Sequence, residues 1–321
     1  MSTTEPAASD LALGAPVAVR LADWGVIRAR GEDAAAFLNG QLTQEALKLG
    51  DGQARLAGYC SPKGRLLASF VMWRAAPDEI LLACSADLLA PTLKRLSMFV
   101  LRARCKLSDA SAELALWGVA LPGAPHDGPA VPAAPYATSA VAGGTAVRLA
   151  DAAGATRLLW AAPVDATPPW APTASAAVWN WLEVQSGVPR IVASTVEAFV
   201  PQMVNLELVG GVNFQKGCYP GQEIVARSQY RGTLKRRMVL AEGAAAAVAG
   251  AEVFAAADPD QPAGQVVLSA SLPQPGGAMR HAALVEVKRA LAEAGELHLG
   301  AVDGPVLRLR ELPYEIPADA G

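Results

Sequence analysis

The chain has 321 residues, a formal net charge of -3 and a hydrophobic fraction of 52%. This length exceeds the usual size of one hydrophobic core and predicts two or three packed domains. The composition excludes a mainly disordered protein, and the small net charge excludes an overall field that would draw the chain onto nucleic acid or an anionic membrane.

Targeting and cysteine patterns narrow the class of protein further. The opening run MSTTEPAASD contains acids and no basic residue, unlike a signal or transit peptide. The apolar run from Leu66 to Trp73 is much shorter than the roughly 20 residues that cross a bilayer. The 4 cysteines are widely spaced, without a CxxC pair. We therefore expect a cytoplasmic protein with reduced thiols, no metal site and no membrane span.

Strands dominate the predicted elements of the N-terminal third. Residues 24–30 form a predicted strand, and the apolar-periodic stretch after them, through Leu42, predicts a helix. The four residues 61–64, Ser-Pro-Lys-Gly, lie between two apolar runs and predict a hairpin turn. Residues 79–85 form a third strand, and helical spacing of leucines predicts a helix over 88–100.

The rest of the chain alternates loops, one helix and a final group of strands. Segments 122–135 and 163–172 are rich in Pro and Ala and bracket a middle group of strands. A predicted helix over 174–187 ends in Gly-Val-Pro, a helix stop signal. After Arg237, short β-like runs separated by Gly and Pro predict a small antiparallel barrel or sandwich.

The run KGCYPGQE, from Lys216 to Glu223, is the strongest functional pattern. Gly217 and Gly221 permit a sharp bend, so the loop would present Cys218 near the N-terminus of the helix-compatible stretch that follows. The helix dipole and Lys216 both favour a thiolate over a thiol. Cys218 and Lys216 are therefore the candidate catalytic residues, with Glu223 bracing the loop.

From the residues alone, a less reactive role for Cys218 is the favoured interpretation. Most free cysteines are small buried side chains, and the glycines could merely form a tight turn. None of the three histidines lies near Cys218 in sequence, so no general base for a catalytic thiol is evident.

The motif resembles the signature K-G-C-Y-x-G-Q-E of the YgfZ folate-binding proteins. The segment FVPQMVNLELVGGVNFQ and the run GQLTQE at 40–45 extend this resemblance over most of the chain. It implies an α+β fold of the glycine-cleavage T-protein type, with two α+β domains (10–115 and 116–235) around a central folate channel and a C-terminal antiparallel β-barrel (236–316). The matching motif residues are Lys216, Gly217, Cys218, Tyr219, Gly221, Gln222 and Glu223.

The same resemblance implies a ligand and a biological setting. The ligand would be tetrahydrofolate or a derivative, and the partners would be iron–sulfur cluster proteins or their assembly factors, with an indirect effect on tRNA modification. Direct tRNA binding stays open. By this resemblance the folate-binding residues are Trp24, Trp179, Tyr219, Gln222, Glu223 and Arg227.

Indole rings suit such a ligand because a pterin can stack on their flat faces. Trp179 and Trp181 lie two positions apart on a predicted helix and point in different directions, so one of them is expected to line a pocket. Without the resemblance, a core position is the more common role for a tryptophan. We expect the sulfur of Cys218 to stand at the mouth of a pterin-sized cavity.

A basic run follows the motif. It suits the carboxylates of a folate glutamyl tail or RNA phosphates, although a solvated basic face is the more common role of such a run. Arg227 is the residue most favoured for ligand contact. The run comprises Arg227, Arg231, Lys235, Arg236 and Arg237.

Three functions are compatible with these patterns. The first is a folate-dependent accessory factor in iron–sulfur protein maturation that uses the Cys218 thiol. The second is an aminomethyltransferase of the T-protein type, for which Asp87 is the one substitute for the key carboxylate. The third is a non-catalytic folate-binding scaffold in which Cys218 only maintains the loop.

Overall fold

The protein, described by a computed structural model, consists of two five-stranded antiparallel sheets and a closed six-stranded barrel. It describes residue 11 and residues 13–123, 128–173, 175–230 and 234–317. The strands are β1 (Val17–Arg20), β2 (Trp24–Arg30), β3 (Ala54–Cys60), β4 (Leu66–Ala76), β5 (Glu79–Ser85), β6 (Lys106–Asp109), β7 (Leu114–Leu121), β8 (Thr138–Val141), β9 (Gly144–Arg148), β10 (Thr156–Pro163), β11 (Arg236–Gly243), β12 (Glu252–Ala255), β13 (Gly264–Pro273), β14 (Met279–Lys288), β15 (Leu297–Leu299) and β16 (Val306–Arg310). The helices are α1 (Ala34–Asn39), α2 (Ala86–Ser97), α3 (Ala177–Gln185), α4 (Gln222–Tyr230) and α5 (Arg289–Ala294), with 3-10 helices at Ala193–Thr195 and Pro201–Val204.

The first sheet has the strand order β3-β4-β5-β2-β6 and is apolar on both faces. Side chains alternate between the faces of a strand, so Phe70 and Met72 join the core shared with the barrel. Their neighbours Val71 and Trp73 join the core between the two sheets. The first sheet is therefore the central layer of the molecule.

The second sheet has the order β1-β7-β10-β9-β8 and packs against the central layer. Its N-terminal strand β1 pairs with β7, with Val17 opposite Ala120. The chain thus begins in the second sheet before it enters the first, although residues 10–115 were predicted as one domain. The division into three ranges stays a prediction, and residue 10 lies outside the described residues.

The C-terminal strands close into an antiparallel barrel in the order β11-β14-β13-β12-β15-β16. This confirms the predicted barrel and, with the two sheets, the predicted α+β class. A buried ion pair between Arg237 on β11 and Glu207 joins the barrel to the body of the protein. Arg237 also donates to the carbonyl of Gln202 at 2.9 Å.

The predicted helices are present with shifted ends. The helix predicted over 88–100 begins earlier, at Ala86, and the one predicted over 174–187 begins at Ala177. Residue 174 itself lies outside the described chain. None of the helices in the described ranges combines the length and the apolar character needed to cross a membrane.

Candidate functional site

A small cavity of about 30 Å³ lies between the two sheets. The central layer provides apolar wall residues such as Leu56 and Val71, and the second sheet provides Leu149. The loop after α3 contributes residues 188–190. The lining also contains a few polar side chains. A mainly apolar lining with a few polar groups is typical of a small-molecule site.

One wall of the cavity is organised by the buried side chain of Arg190. Its Nε donates to Oε1 of Glu183 at 2.7 Å, and its Nη2 donates to Oδ2 of Asp23 at 2.8 Å. Burial opposes the charge of Arg190, but these two carboxylates outweigh burial and raise its pKa. The guanidinium lies 4.9 Å from the ring centre of Trp24. The ion pairs therefore hold Arg190 in place and, through it, the indole of Trp24.

A second buried guanidinium, that of Arg157 on β10, also lines the cavity. This residue is 3% exposed and stacks on the ring of Trp179 at 4.8 Å. Its Nη1 donates to the carbonyl of Ala150 at 3.3 Å, whereas its Nε has no hydrogen-bond partner. Burial lowers the pKa of Arg157, and the charge of Glu183 opposes that effect. The cavity thus contains one paired cation and one without a close carboxylate.

The three tryptophans considered as folate contacts occupy different environments. Trp24 is half-buried, lines the cavity and has no partner for its Nε1. Trp179 is 2% exposed and packs against Gly118, behind Arg157. Trp181 belongs to the other core, where Arg280 lies 4.6 Å from its ring. Trp24 is therefore the indole placed for direct contact, and a role for Trp179 would act through Arg157.

The KGCYPGQE loop is pressed against the turn between β3 and β4. Gly221 has φ +80, and a Cβ atom there would lie 2.3 Å from the carbonyl oxygen of Ser61. Only glycine fits this approach. Gln222 begins α4, and its Oε1 accepts from the backbone N–H of the buried Tyr219 at 3.3 Å. The predicted sharp bend is therefore present and depends on Gly221; Gly217 has no positive φ.

Lys216 anchors this loop to the end of α1. Its ammonium donates to the carbonyls of Asn39 at 2.6 Å, Leu42 at 3.0 Å and Gly217 at 3.0 Å. An ammonium has three donors, so all are engaged. Burial lowers the pKa of Lys216 to about 8, opposed by the charges of Glu45 and Cys218. The geometry describes a residue that positions the loop, rather than one with a free ammonium group.

Cys218 is the exposed member of the four cysteines, all of which lie in the described ranges. The interpretation of Cys218 as a small buried side chain is therefore wrong. Burial raises the pKa of both Cys60 and Cys84 to about 12, which keeps these thiols protonated. Cys105 is half-buried, and burial raises its pKa as well. Accessible thiol chemistry thus concentrates at Cys218.

Cys218 does not line the cavity between the sheets, contrary to expectation. The cavity contacts β3 at Leu56 and β4 at Ser69. The motif packs on the turn between these strands, at Ser61 and Gly64. These positions are five residues apart along each strand, or roughly 15 Å at the rise of a β-strand. The KGCYPGQE motif and the cavity that Trp24 lines therefore contact two neighbouring positions along one hairpin.

The remaining predicted ligand residues cluster on the motif loop and α4. Glu223 and Arg227 form an ion pair with each other at 3.3 Å, and both side chains are largely exposed. Tyr219 and Gln222 are joined by the hydrogen bond described above. The structure brings these four residues together, but beside Cys218 and not in the cavity. Their contact with folate stays a prediction.

The basic run after the motif is mostly used within the fold. Arg236 pairs with the buried Glu286, and Arg237 pairs with Glu207. Arg231 lies outside the described residues. The predicted solvated basic face is thus wrong for Arg236 and Arg237, because barrel and body carboxylates neutralise them.

Asp87, the candidate for a transferase carboxylate, lies in the first turn of α2. Its Oδ2 accepts from the backbone N–H of Ala193 at 2.9 Å. The side chain thereby links α2 to the distant 3-10 helix at Ala193–Thr195. Across the described ranges, no three side chains of His, Cys, Asp or Glu come together as a metal site would require.

Sequence reasoning missed the charged residues of the cavity, namely Arg157, Glu183 and Arg190. The ion pair between Arg190 and Asp23 joins positions far apart in the chain and leaves no local pattern. The one available signal was the arginine directly after the Gly-Val-Pro helix stop. The role of Arg190 depends on which side chains the fold brings next to it.

Known proteins resemble this chain in sequence and in structure, although no family model matches it. The tRNA-modifying protein YgfZ of Edwardsiella ictaluri is 34% identical over 254 residues, covering 71% of each chain. The protein of the same name from Vibrio vulnificus strain YJ016 is 32% identical over 71% of each chain. That of Photobacterium profundum is 28% identical over 93% of this chain and 91% of its own.

A solved structure supports the fold independently. The glycine cleavage system aminomethyltransferase T from Bartonella henselae superposes with a TM-score of 0.69, covering 93% of this chain and 86% of its own. At 16% identity this likeness establishes the T-protein fold alone. Together with the sequence relatives, it leads to one conclusion: the chain belongs to the YgfZ family.

Proposed function

We propose that this chain is a cytoplasmic, tetrahydrofolate-binding accessory factor that uses the thiol of Cys218 in the assembly or repair of iron–sulfur cluster proteins, and so supports tRNA modification indirectly. The observation that carries the proposal is the position of an exposed thiol on a clamped loop. That loop lies on the same hairpin that forms one wall of the cavity lined by Trp24, Glu183 and Arg190.

Several residues of the cavity suit a folate. Its free volume of about 30 Å³ is far below the roughly 300 Å³ of a small-molecule site, so a folate enters only if the walls move apart. Trp24 provides a flat face for a pterin, and its unpartnered Nε1 is a donor that a polar ring atom can satisfy. Arg157 and Glu183 add a donor and an acceptor. Tetrahydrofolate, when bound, supplies ring nitrogens that carry one-carbon units.

The environment of Cys218 supports thiol chemistry. The side chain is exposed, while Lys216 and Gly221 fix the backbone on either side of it. A sulfur held in this manner can meet a partner protein or a sulfur species without rearrangement of the loop. The buried Cys60 and Cys84 cannot substitute, because their thiols remain protonated and enclosed.

The aminomethyltransferase alternative has less support. Asp87 is engaged by the backbone of Ala193, and no other feature singles it out as a catalytic carboxylate. The scaffold alternative differs from our proposal only in the role of the thiol. A substitution at Cys218 therefore separates the two.

The experiment has two arms. In the first, isothermal titration of the wild-type protein with tetrahydrofolate should yield saturable binding of one ligand. In the second, Cys218→Ser should fail to restore the activity of iron–sulfur enzymes in cells that lack the protein, whereas Cys105→Ser should restore it. Both variants should bind tetrahydrofolate as the wild type does. Full restoration by Cys218→Ser would favour the scaffold, and absence of binding would refute the folate proposal.

A further inference from the structure

A groove of about 340 Å³ runs along α2 and shares no lining residue with the cavity between the two sheets. This volume lies within the roughly 300–1,000 Å³ of binding sites. Tyr59 on β3, Leu67 on β4 and Val196 form one side of the groove. Its other side is a stripe at helical spacing along α2 and the residue that follows it. The stripe comprises Leu88, Pro91, Thr92, Arg95 and Met98.

Large apolar side chains are exposed along this groove. Met98 is 59% exposed and lines the groove together with the exposed Val196. Phe99 and the 87% exposed Leu101 follow in the chain and extend the apolar surface. Single apolar side chains are common on protein surfaces, whereas a group of them is typical of an interaction site. A small molecule inside the groove would leave Phe99 and Leu101 in water, so the surface favours a partner protein.

Two cations of α2 give the groove a positive charge. Lys94 and Arg95 line it, and neither has a carboxylate within ion-pair distance among the described residues. Arg95 lies against Tyr59, where its charge opposes the burial that raises the pKa of the hydroxyl. Asp87 and Glu197 neighbour lining residues in the chain but do not line the groove. The complementary occupant therefore has a carboxylate beside apolar side chains.

The groove also lies close to the KGCYPGQE loop. Tyr59 and Leu67 line the groove near the turn between β3 and β4, and Ser61 in this turn contacts Gly221. Tyr59 and Ser61 are two residues apart, or roughly 7 Å at the rise of a β-strand. A partner seated in the groove therefore lies beside the loop that exposes Cys218.

We propose that the groove along α2 docks a segment of a client iron–sulfur protein that combines apolar side chains with a carboxylate, and that Lys94 and Arg95 bind this carboxylate. Met98 and Val196 pack against the apolar side chains of the segment, which removes apolar surface from water. The inference rests on the proposed function, because it takes the client of Cys218 as the partner. The groove then determines which proteins meet the thiol.

Photocrosslinking in cells tests this docking. Met98→p-benzoylphenylalanine is introduced into the full chain, and mass spectrometry maps the segment that it captures. The segment should belong to an iron–sulfur protein and contain Asp or Glu beside apolar residues. Lys94→Glu should lower the yield of this crosslink by about fivefold or more, because like charges then face each other. The matched control is Arg308→Glu, an exposed position of β16 outside the groove, which should leave the yield unchanged.

An exchange of charges sharpens the test. Replacing the acid of the captured segment by Lys should restore crosslinking to the Lys94→Glu variant. Lys94→Gln, which only removes the charge, should give a smaller decrease and replaces Lys94→Glu if that variant fails to fold. An undiminished yield in both Lys94 variants would overturn the inference, as would the absence of any captured protein. Capture of the chain itself, of a second copy, of a protein without a cluster or of a segment without an acid would also overturn it.

Cys218→Ser separates this inference from the proposed function. The crosslink should persist in that variant, because docking uses α2 and not the thiol. If Cys218→Ser restores iron–sulfur enzymes while the crosslink persists, the role of the thiol fails and the docking stands. If the crosslink is absent from the wild-type background while Cys218→Ser fails to restore these enzymes, the docking fails and the role of the thiol stands.

Discussion

The cavity between the sheets and the KGCYPGQE loop contact the same hairpin, but different interactions hold their residues in place. In the cavity, charged side chains such as Arg190 and Glu183 are buried and hold each other through ion pairs. At the loop, the side chain of Cys218 is exposed, and the backbone is held by the contacts of Gly221 and by the ammonium of Lys216. Buried charges therefore hold the cavity wall in place, whereas backbone contacts hold the loop that exposes Cys218.

The separation of the two regions constrains any shared mechanism. Roughly 15 Å of strand lies between the cavity and the loop. A ligand in the cavity and a partner at Cys218 can therefore be present together without competing for the same surface. Substitutions should accordingly affect one region while sparing the other, and the predictions below use that independence.

The largest effect is expected from Arg190→Met. The variant leaves Glu183 buried without its cation, which should lower the free energy of unfolding by about 3–5 kcal/mol. Urea denaturation measures this loss. The matched control is Arg227→Met, which removes an exposed pair worth no more than about 0.5 kcal/mol. Similar losses in the two variants would show that the cavity wall is not held by its buried ion pair.

A second comparison isolates the close approach of the motif loop. Gly221 and Gly210 both have positive φ, but a Cβ at Gly210 meets no atom within 4 Å. Gly221→Ala should therefore lower the free energy of unfolding by about 1–3 kcal/mol more than Gly210→Ala, because the added methyl meets the backbone of Ser61. It should also change the rate of alkylation of Cys218. Equal effects of the two substitutions would contradict a tight fit between loop and turn.

Trp24→Phe tests the aromatic face of the cavity. The smaller ring keeps an apolar surface but loses the indole N–H and stacking area, so tetrahydrofolate affinity should fall by about fivefold. Trp170→Phe is the control, because Trp170 packs on the far face of the second sheet. Titration calorimetry of both variants, with circular dichroism to confirm folding, measures the difference. Unchanged affinity in Trp24→Phe would remove Trp24 from the site.

The smallest expected effect is a pH dependence from Lys216. Burial lowers its pKa to about 8 from an ordinary value of 10.5, so between these values the unfolded chain holds a proton that the folded chain has released. The contribution of Lys216 to the free energy of unfolding should then rise as pH increases from about 8 towards 10.5. The difference in free energy of unfolding between wild type and Lys216→Met, followed by urea denaturation across this range, should increase. A decrease would contradict the sign.

Local patterns predicted much of the framework. Alternation and turn chemistry placed β2 and β5 at their observed bounds and placed the turn at Ser61 to Gly64. The bend at Gly221 was also predictable, since glycine permits a positive φ and a close backbone approach that other residues do not. These features depend on neighbours in sequence, so a local pattern contains the information needed to infer them.

Other features depended on what the fold brings together. The pairing of β1 with β7 and the ion pair of Arg190 with Asp23 join residues distant in the chain. The burial of Arg157 likewise depends on distant segments that surround it. Sequence by itself determined the element types, the barrel and the motif that carries Cys218. Only the tertiary structure decided that Cys218 is exposed, that Lys216 is an anchor and that the cavity lies elsewhere on the hairpin. The physical reason is that burial and charge pairing are properties of spatial neighbours, which no single stretch of sequence contains.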